Sequence, residues 1–427
     1  TKVDLNEILK DEFRSGTTGS GLSRLTPAKL LVSTQVVVSL ALVMAAGLFI
    51  RSLQNLEHQE LGFVPDQVLV CRLDLAAAGY KKSQLPQFYS RLIDRILALP
   101  GVCSASLANS GMLSGSANTS NISIEGYTEK QNENMDVEHR HVTWNYLQAN
   151  GIPLLEGRDI SQHDQQDTVH IALVNEAFVQ RFFSNQNPIG HRFRLGSPFV
   201  PPGMEIVGVV RDSKYNSLEE KPHPMAFIPL LQEPFASNPN QYSDRPYAYG
   251  NELDIRVAGD AAASSHAVLR AIADIDRNIP VSGITTLKQR VDDSARDARA
   301  VAQLSGLFGL LALVLAPIGL YGVMAHNVSR RTHEIGVRMA VGAQARDVLQ
   351  MVLRESFLVV MTGIVFGIPA ALGMGRIISS QLFGLSSRDS LTLAFSTLLL
   401  LIASIVASYL PARRAARTDP MVALRHE

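Results

Sequence analysis

The hydrophobic positions of this 427-residue chain fall into two regimes. In four places apolar residues run for close to the roughly 20 positions that carry a helix across a bilayer. These runs are 30–50, 304–325, 357–377 and 391–410, and apart from Arg376 at the end of the third they hold no Asp, Glu, Lys, Arg or His. Spans without ionisable groups argue against a proton-coupled carrier and against a charged selectivity filter. The third run carries a small residue at every fourth position, Gly363, Gly367, Ala371 and Gly375, a stripe that lets a second helix pack closely. Pro317 and Pro369 predict kinks in the second and third spans. Ser33, Thr34, Gln35 and Ser39 in the first span read as hydrogen-bond donors to neighbouring helices.

Between the first two runs the pattern breaks into short elements. Residues 67–75 read as a strand, 84–99 as an amphipathic helix, and 102–107 as a second strand after the Pro100-Gly101 turn. A similar succession closes the segment, with strand 252–257, helix 261–275, a turn at 278–280 and strand 281–285. Two βαβ-like units therefore flank an insertion. Its candidate strands are 120–125, 137–142, 171–174, 192–195, 204–210 and 225–229, with one short helix at 178–183. From Leu287 the chain turns helical and charged, through Lys288, Arg290, Asp292, Asp293, Arg296, Asp297 and Arg299. It reads either as a stalk running unbroken into the second span or as a solvated helix face.

Lys plus Arg and Asp plus Glu each number 39, so no bulk charge points to nucleic acid. Placement matters more than balance. The loop between the second and third spans holds Arg330, Arg331, Arg338, Arg346 and Arg354, and the tail holds Arg413, Arg414, Arg417 and Arg425. The third-to-fourth loop has Arg376 and Arg388 alone, so both ends of the chain are expected in the cytoplasm and the large polar segment on the far side. A disulfide between Cys71 and Cys103 is chemically permitted there, although their apolar, strand-like surroundings favour two small buried hydrophobes.

Candidate chemistry is sparse. His139 and His141 share one strand face and, with His163, His170 and His191, read as surface histidines, because no HExxH or CxxC spacing accompanies them. Neither a GxxxxGK[ST] P-loop nor a GxSxG elbow occurs, so no catalytic residue, cofactor or metal is expected. The run 15–21 reads as a flexible linker, no signal-peptide cleavage pattern precedes the first span, and Thr1 suggests a start inside something longer.

The stretch 329–343, SRRTHEIGVRMAVGA, is a cationic helical segment pinned between two spans. Arg330, Glu334 and Arg338 share one face, Ile335 and Met339 a neighbouring one, and Gly342 ends it. It suits docking into a cleft of a soluble partner or lying on anionic lipid. Its wording resembles the cytoplasmic loop of the MacB/FtsX-like permease family. That pattern runs Arg-x-x-Glu-Ile-Gly, a basic residue, then Ala-x-Gly-Ala, matched by Arg331, Glu334, Ile335, Gly336, Arg338, Ala340, Gly342 and Ala343. His333 stands where a basic residue is common. The tail PARRAARTDPMVALRHE at 411–427, and NEAFVQRFF and NPIGHRF at 175–183 and 187–193, are similar to further family wording. The serine- and glycine-rich start, followed by KLLVSTQVVVSLALVMAAGLFIRSL, looks like the middle of duplicated permeases common in acidobacteria, often called orphaned because no ATPase is encoded beside them.

The resemblance implies a multi-pass α-helical membrane protein with four transmembrane helices and a large extracytoplasmic α+β domain, in which porter-like βαβ units carry an inserted β-rich, sabre-like subdomain. The expected organisation is a cytoplasmic linker 1–29, spans 30–50, 304–325, 357–377 and 391–410, and a periplasmic core 51–303, with porter parts 65–113 and 250–287 and sabre-like part 114–249. A coupling-helix loop at 326–356, a short outer loop at 378–390 and a tail at 411–427 complete it, 304–420 being FtsX-like. The implied function is that of a noncatalytic permease subunit in the bacterial inner membrane. It would pass the motion of an ABC ATP-binding subunit to the periplasmic domain for export or signalling. The alternative is a transmembrane scaffold or regulator of an extracytoplasmic protein. Arg331, Glu334, Ile335, Gly336, Arg338 and Gly342 are the expected ATPase contacts. Other expected partners are a second four-helix half or a second copy, a periplasmic protein and membrane lipid.

Overall fold

The computed structural model describes residues 27–115, 118–165, 168–184, 186–196, 203–232, 249–341, 344–385 and 389–416. The chain divides into two compact units, 56–297 and the combination of 1–55 with 298–427. Among the described residues helix α1 (Pro27–Glu57) comes first.

The 56–297 unit opens with β1 (Val68–Leu73), α2 (Leu85–Leu97) and β2 (Val102–Ala108). Its middle contains β3 (Asn118–Ile124), β4 (Asp136–Val142), α3 (Tyr146–Asn150), β5 (Leu154–Gly157), β6 (Ile171–Asn175), α4 (Glu176–Phe182), β7 (Arg192–Leu195), β8 (Met204–Val210) and β9 (Met225–Pro229). It closes with β10 (Glu252–Val257), α5 (Ser265–Ile275), β11 (Val281–Thr286) and α6 (Leu287–Ser294). The order β11-β1-β10-β2, antiparallel throughout, shows that the two βαβ units are interleaved rather than side by side. Each crossover skips one strand, because β10 lies between β1 and β2 and β1 lies between β10 and β11. Leu85, Phe88, Tyr89, Leu92, Ile93 and Ile96 recur at helical spacing and place one face of α2 in the core, where Val268, Ala271 and Ile272 of α5 join them.

The remaining strands close on themselves. The pairing runs β4-β3-β7-β8-β6-β9, and β9 returns to β4 in parallel register, with Glu138 opposite Met225 and Val142 opposite Pro229. Alternate residues of this six-strand ring, among them Ile122, Val137, Val174, Phe193, Ile206 and Ile228, form one apolar cluster with Phe178 and Phe182 of α4. Asn175 caps α4, its side chain accepting from the Phe178 amide at 3.0 Å. The insertion is thus a small barrel. Two short elements, α3 and β5, went unmarked by the hydrophobic pattern, and every residue of β5 is exposed.

The charged helix is also not continuous. Thr286 caps α6 through the Gln289 amide, and Ala295 ends it, so a new helix starts at Arg296. The expected unbroken stalk is therefore two helices.

The second unit holds α7 (Arg296–Arg330), α8 (Thr332–Ala340), α9 (Ala345–Ile377) and α10 (Ser390–Ala415). With α1, the helices α7, α9 and α10 are long and apolar enough to cross a membrane. Pro317 and Pro369 lie inside α7 and α9 without ending them. Helix α1 touches all three others. Gln35 donates to the Leu315 carbonyl at 2.8 Å, Ser39 to Ala312 and Ser33 to Val359, whereas Thr34 bonds back to Leu30 within its own helix. Leu304, Phe308, Phe366, Phe395 and Ile402 stay exposed on the outer faces, as lipid-facing side chains do.

Candidate functional site

The segment singled out in the sequence folds as the nine-residue helix α8 after a break at Arg331. Glu334 and Arg338 pair across one turn at 2.7 Å, each about half exposed (52%). Ile335 and Gly336 are buried, Ile335 to 3%, and Ile335 packs with Val348 and Ala415, next to Met339 and Met351. The expected contact set is therefore split. Glu334 and Arg338, together with the exposed Arg330, Val337 and Val341, form an outward surface, and Ile335 and Gly336 anchor the helix to the bundle. Gly342 lies outside the described residues.

Arg331 is committed elsewhere. Its guanidinium lies 3.4 Å from Glu355 on α9, and Lys29 at the start of α1 reaches the other oxygen of the same carboxylate at 2.5 Å. Glu355 thus ties α1, the α7–α8 junction and α9 at one end of the bundle, a role the sequence reading missed. A capping box starts α9, with Asp347 accepting from the Gln344 amide at 3.0 Å. Of the small-residue stripe, Gly363 and Gly367 face α1. A Cβ at Gly363 would meet Val36 at 2.6 Å and one at Gly367 would meet Leu40 at 3.0 Å. Ala371 packs with Ala41, Met44 and Leu48, and Gly375 is buried on the same side of α9.

The 56–297 unit contains a second constellation that sequence reasoning did not find. All residues of β4 from Val137 to Val142 are buried, so His139 and His141 are core residues and not surface ones. The barrel covers one face of β4 and the chain after β2 covers the other. Arg140 donates to the carbonyls of Ser110 and Gly111 at 2.9 Å, lies 3.4 Å from Glu138, and stacks 4.8 Å from the Tyr215 ring. Glu138 accepts from Asn216 and pairs with His223, both at 2.8 Å. Burial pushes the Glu138 carboxyl up, but the His223 hydrogen bond and the Arg140 charge outweigh it and hold the group below its ordinary range. The same hydrogen bond raises His223, whereas burial drives His139 down to about 4.

On the other side of Gly111, Arg290 of α6 lies 2.6 Å from Glu252 and donates to the Met112 carbonyl at 3.1 Å. The Glu252 contact is a close charge pair, and the aligned hydrogen bond goes to the carbonyl. A Cβ on Gly111 would sit 2.5 Å from the Glu252 carboxylate and 2.6 Å from Arg290, so glycine is required where the chain passes. Two arginines, one from the barrel and one from α6, thus hold three consecutive residues, Ser110, Gly111 and Met112, of the connection after β2. Asp254, fully buried, accepts from Asn150 at 3.0 Å, and burial followed by the neighbouring Glu252 charge pushes its carboxyl up to about 7. Cys71 is buried, Cys103 is exposed, and both thiols are free. Among the described residues no cluster of three or more His, Cys, Asp or Glu could hold a metal.

Residues 32–275 match the MacB-like periplasmic core domain, and residues 306–420 match the FtsX-like permease C-terminal domain. The macrolide export ATP-binding/permease protein MacB of Acinetobacter baylyi is 28% identical over 299 residues, covering 67% of this chain and 42% of that protein. The pyoverdine export ATP-binding/permease protein PvdT of Pseudomonas syringae pv. syringae is 26% identical over 277 residues, covering 64% of this chain and 40% of that protein. The periplasmic region of MacB from Actinobacillus actinomycetemcomitans aligns with 55% of this chain at 9% identity and a TM-score of 0.35, covering 95% of that structure. The matches span less than half the length of these curated relatives. The core-domain match alone covers more than half of the chain, which belongs to the MacB/FtsX-like ABC permease family.

Proposed function

We propose that the chain is a noncatalytic transmembrane subunit that takes up motion from an ABC ATP-binding partner at α8 and passes it to a periplasmic 56–297 unit, for export of a substrate or for signalling. The observation that carries this reading is the division of α8 into an outward charged surface, Glu334 and Arg338, and a buried anchor, Ile335. A helix gripped from beneath transmits a push instead of yielding to it. The Glu355 ties to Arg331 and Lys29 give that push a path into two membrane helices. The relatives named as ATP-binding/permease proteins supply the ATPase role by analogy.

The arginine bias around α8 favours placing that end in the cytoplasm and the 56–297 unit in the periplasm of a bacterial inner membrane. The working unit would contain two four-helix bundles, either as a fused second half or as a second copy.

The test is co-purification with an ATP-binding subunit encoded in the same genome. Glu334→Ala with Arg338→Ala is expected to abolish stimulation of that ATPase while membrane insertion is unchanged. Full stimulation by the double variant would remove the proposed role of α8.

A further inference from the structure

The membrane unit carries two lateral grooves of similar size and different charge. One, about 640 Å³, lies between α1, α7 and α10, and its one charged lining residue, Arg51, is neutralised by Asp389 and hydrogen-bonded to Thr392. The other, about 540 Å³, lies between α9 and α10 at the end of the bundle that carries α8. Its lining includes two guanidiniums, Arg346 and Arg354, and no carboxylate. Neither guanidinium forms an ion pair with a described residue, and Glu355, beside Arg354 in sequence, is already held by Lys29 and Arg331.

Charge and depth are separated along this second groove. From Arg346 to Val360 it follows α9 for about 21 Å at 1.5 Å per residue. One leaflet of hydrocarbon is roughly 15 Å deep, half of the bilayer core. Past Arg354 the lining is Ser356, Phe357 and Val360 on α9, faced on α10 by Leu401, Ser404, Ile405 and Ser408. Arg346 to Arg354 takes up about 12 Å of that length and Arg354 to Val360 about 9 Å, so an occupant matched to this arrangement is anionic along one part, apolar beyond it, and reached sideways from the membrane. We propose that the α9–α10 groove binds one anionic phospholipid, its headgroup lying between Arg346 and Arg354 and an acyl chain along Phe357 and Ile405. Basic pockets between helices at the membrane edge have the chemistry to hold such headgroups. The proposal needs the membrane placement of α9 and α10 but no ATP-binding partner, so it stands or falls separately from the coupling role of α8.

The experiment uses the full chain in a nonionic detergent, with native mass spectrometry reading retention of phosphatidylglycerol against phosphatidylcholine of the same acyl chains. The wild-type chain is expected to retain one phosphatidylglycerol and to exclude phosphatidylcholine. At about fivefold per guanidinium near a lipid phosphate, Arg346→Gln with Arg354→Gln should weaken retention about 30-fold. Arg330→Gln, which removes a charge at the same end but outside the groove, should leave it unchanged. Both altered arginines are exposed, and an unchanged thermal transition without lipid shows that the fold is kept. Equal retention of the two lipids, or an equal loss from Arg330→Gln, would overturn the proposal. Disulfide-linked dimers forming through Phe357→Cys would overturn it in favour of a second copy filling the groove.

Discussion

Arg290 and Glu252 form an ion pair at 2.6 Å, with the carboxylate 2% exposed and the guanidinium 18% exposed. Removing one partner of such a pair strands a buried charge, which costs about 3–5 kcal/mol. Arg290→Gln should therefore lower the thermal transition of the full chain markedly. Glu252→Gln added to Arg290→Gln should recover much of the loss, because the Glu252 charge is then no longer buried without its partner. The double variant also reports on mechanics. If Arg290 links α6 to the barrel through the 110–112 connection, hydrogen exchange at β4 should accelerate even where stability is restored.

Asp254 sets a pH dependence of opposite sign to that of most acidic residues. Its folded-state carboxyl titrates at about 7, above the ordinary 3.8, because burial disfavours the charge. Between those values the folded chain binds more protons than the unfolded one, so the contribution of Asp254 to stability falls as pH rises from about 4 to about 7 and is at its worst above 7. Asp254→Asn removes the charge and keeps the shape. It is expected to raise the thermal transition at pH 8, by roughly 1–4 kcal/mol in stability, and to have a much smaller effect at pH 4. An equal shift at both pH values would show that the group is not titrating as described.

Two glycines on α9 should respond oppositely to the same substitution. At Gly363 a methyl group would press on Val36 and on the Ser33 carbonyl, while at Gly373 it would meet nothing within 4 Å. Gly363→Ala should cost about 1–3 kcal/mol by overpacking. Gly373→Ala should be neutral or stabilise by up to about 1 kcal/mol, the ordinary helix preference for alanine. Thermal unfolding of the two variants in one detergent decides between packing at the stripe and a generic intolerance of change along α9.

Where apolar alternation was regular the elements were readable from the chain. Leu253, Ile255 and Val257 mark β10 at its observed bounds, and the strands at 192–195, 204–210 and 225–229 likewise coincide with β7, β8 and β9. Long-range closure left no local trace. Nothing in Glu138, His139, Arg140 and His141 signals that β9 will pair alongside them, and without that partner an alternating charged strand reads as half solvated. The one hint was Glu138 and Arg140, opposite charges two residues apart on one face, able to satisfy each other when buried. Glu355 was equally hidden, because its partners Lys29 and Arg331 are brought to it by the bundle and not by helical spacing. On α8, periodicity placed Ile335 and Met339 on a shared face, but packing against Val348 and Ala415 decides that this face points inward.

The proposed coupling requires α8 and the 56–297 unit to lie in different compartments. Cys103 is an exposed native thiol on the 56–297 unit, Cys71 is buried, and Ala340 is exposed at the end of α8. The direct measurement is labelling of spheroplasts with a membrane-impermeant maleimide, comparing Cys103 in the wild-type chain with Ala340→Cys in a Cys103→Ser background. With this placement Cys103 labels in intact spheroplasts and the thiol introduced at position 340 labels only after permeabilisation. Labelling of both positions in intact spheroplasts, or of neither until the membrane is opened, would contradict it.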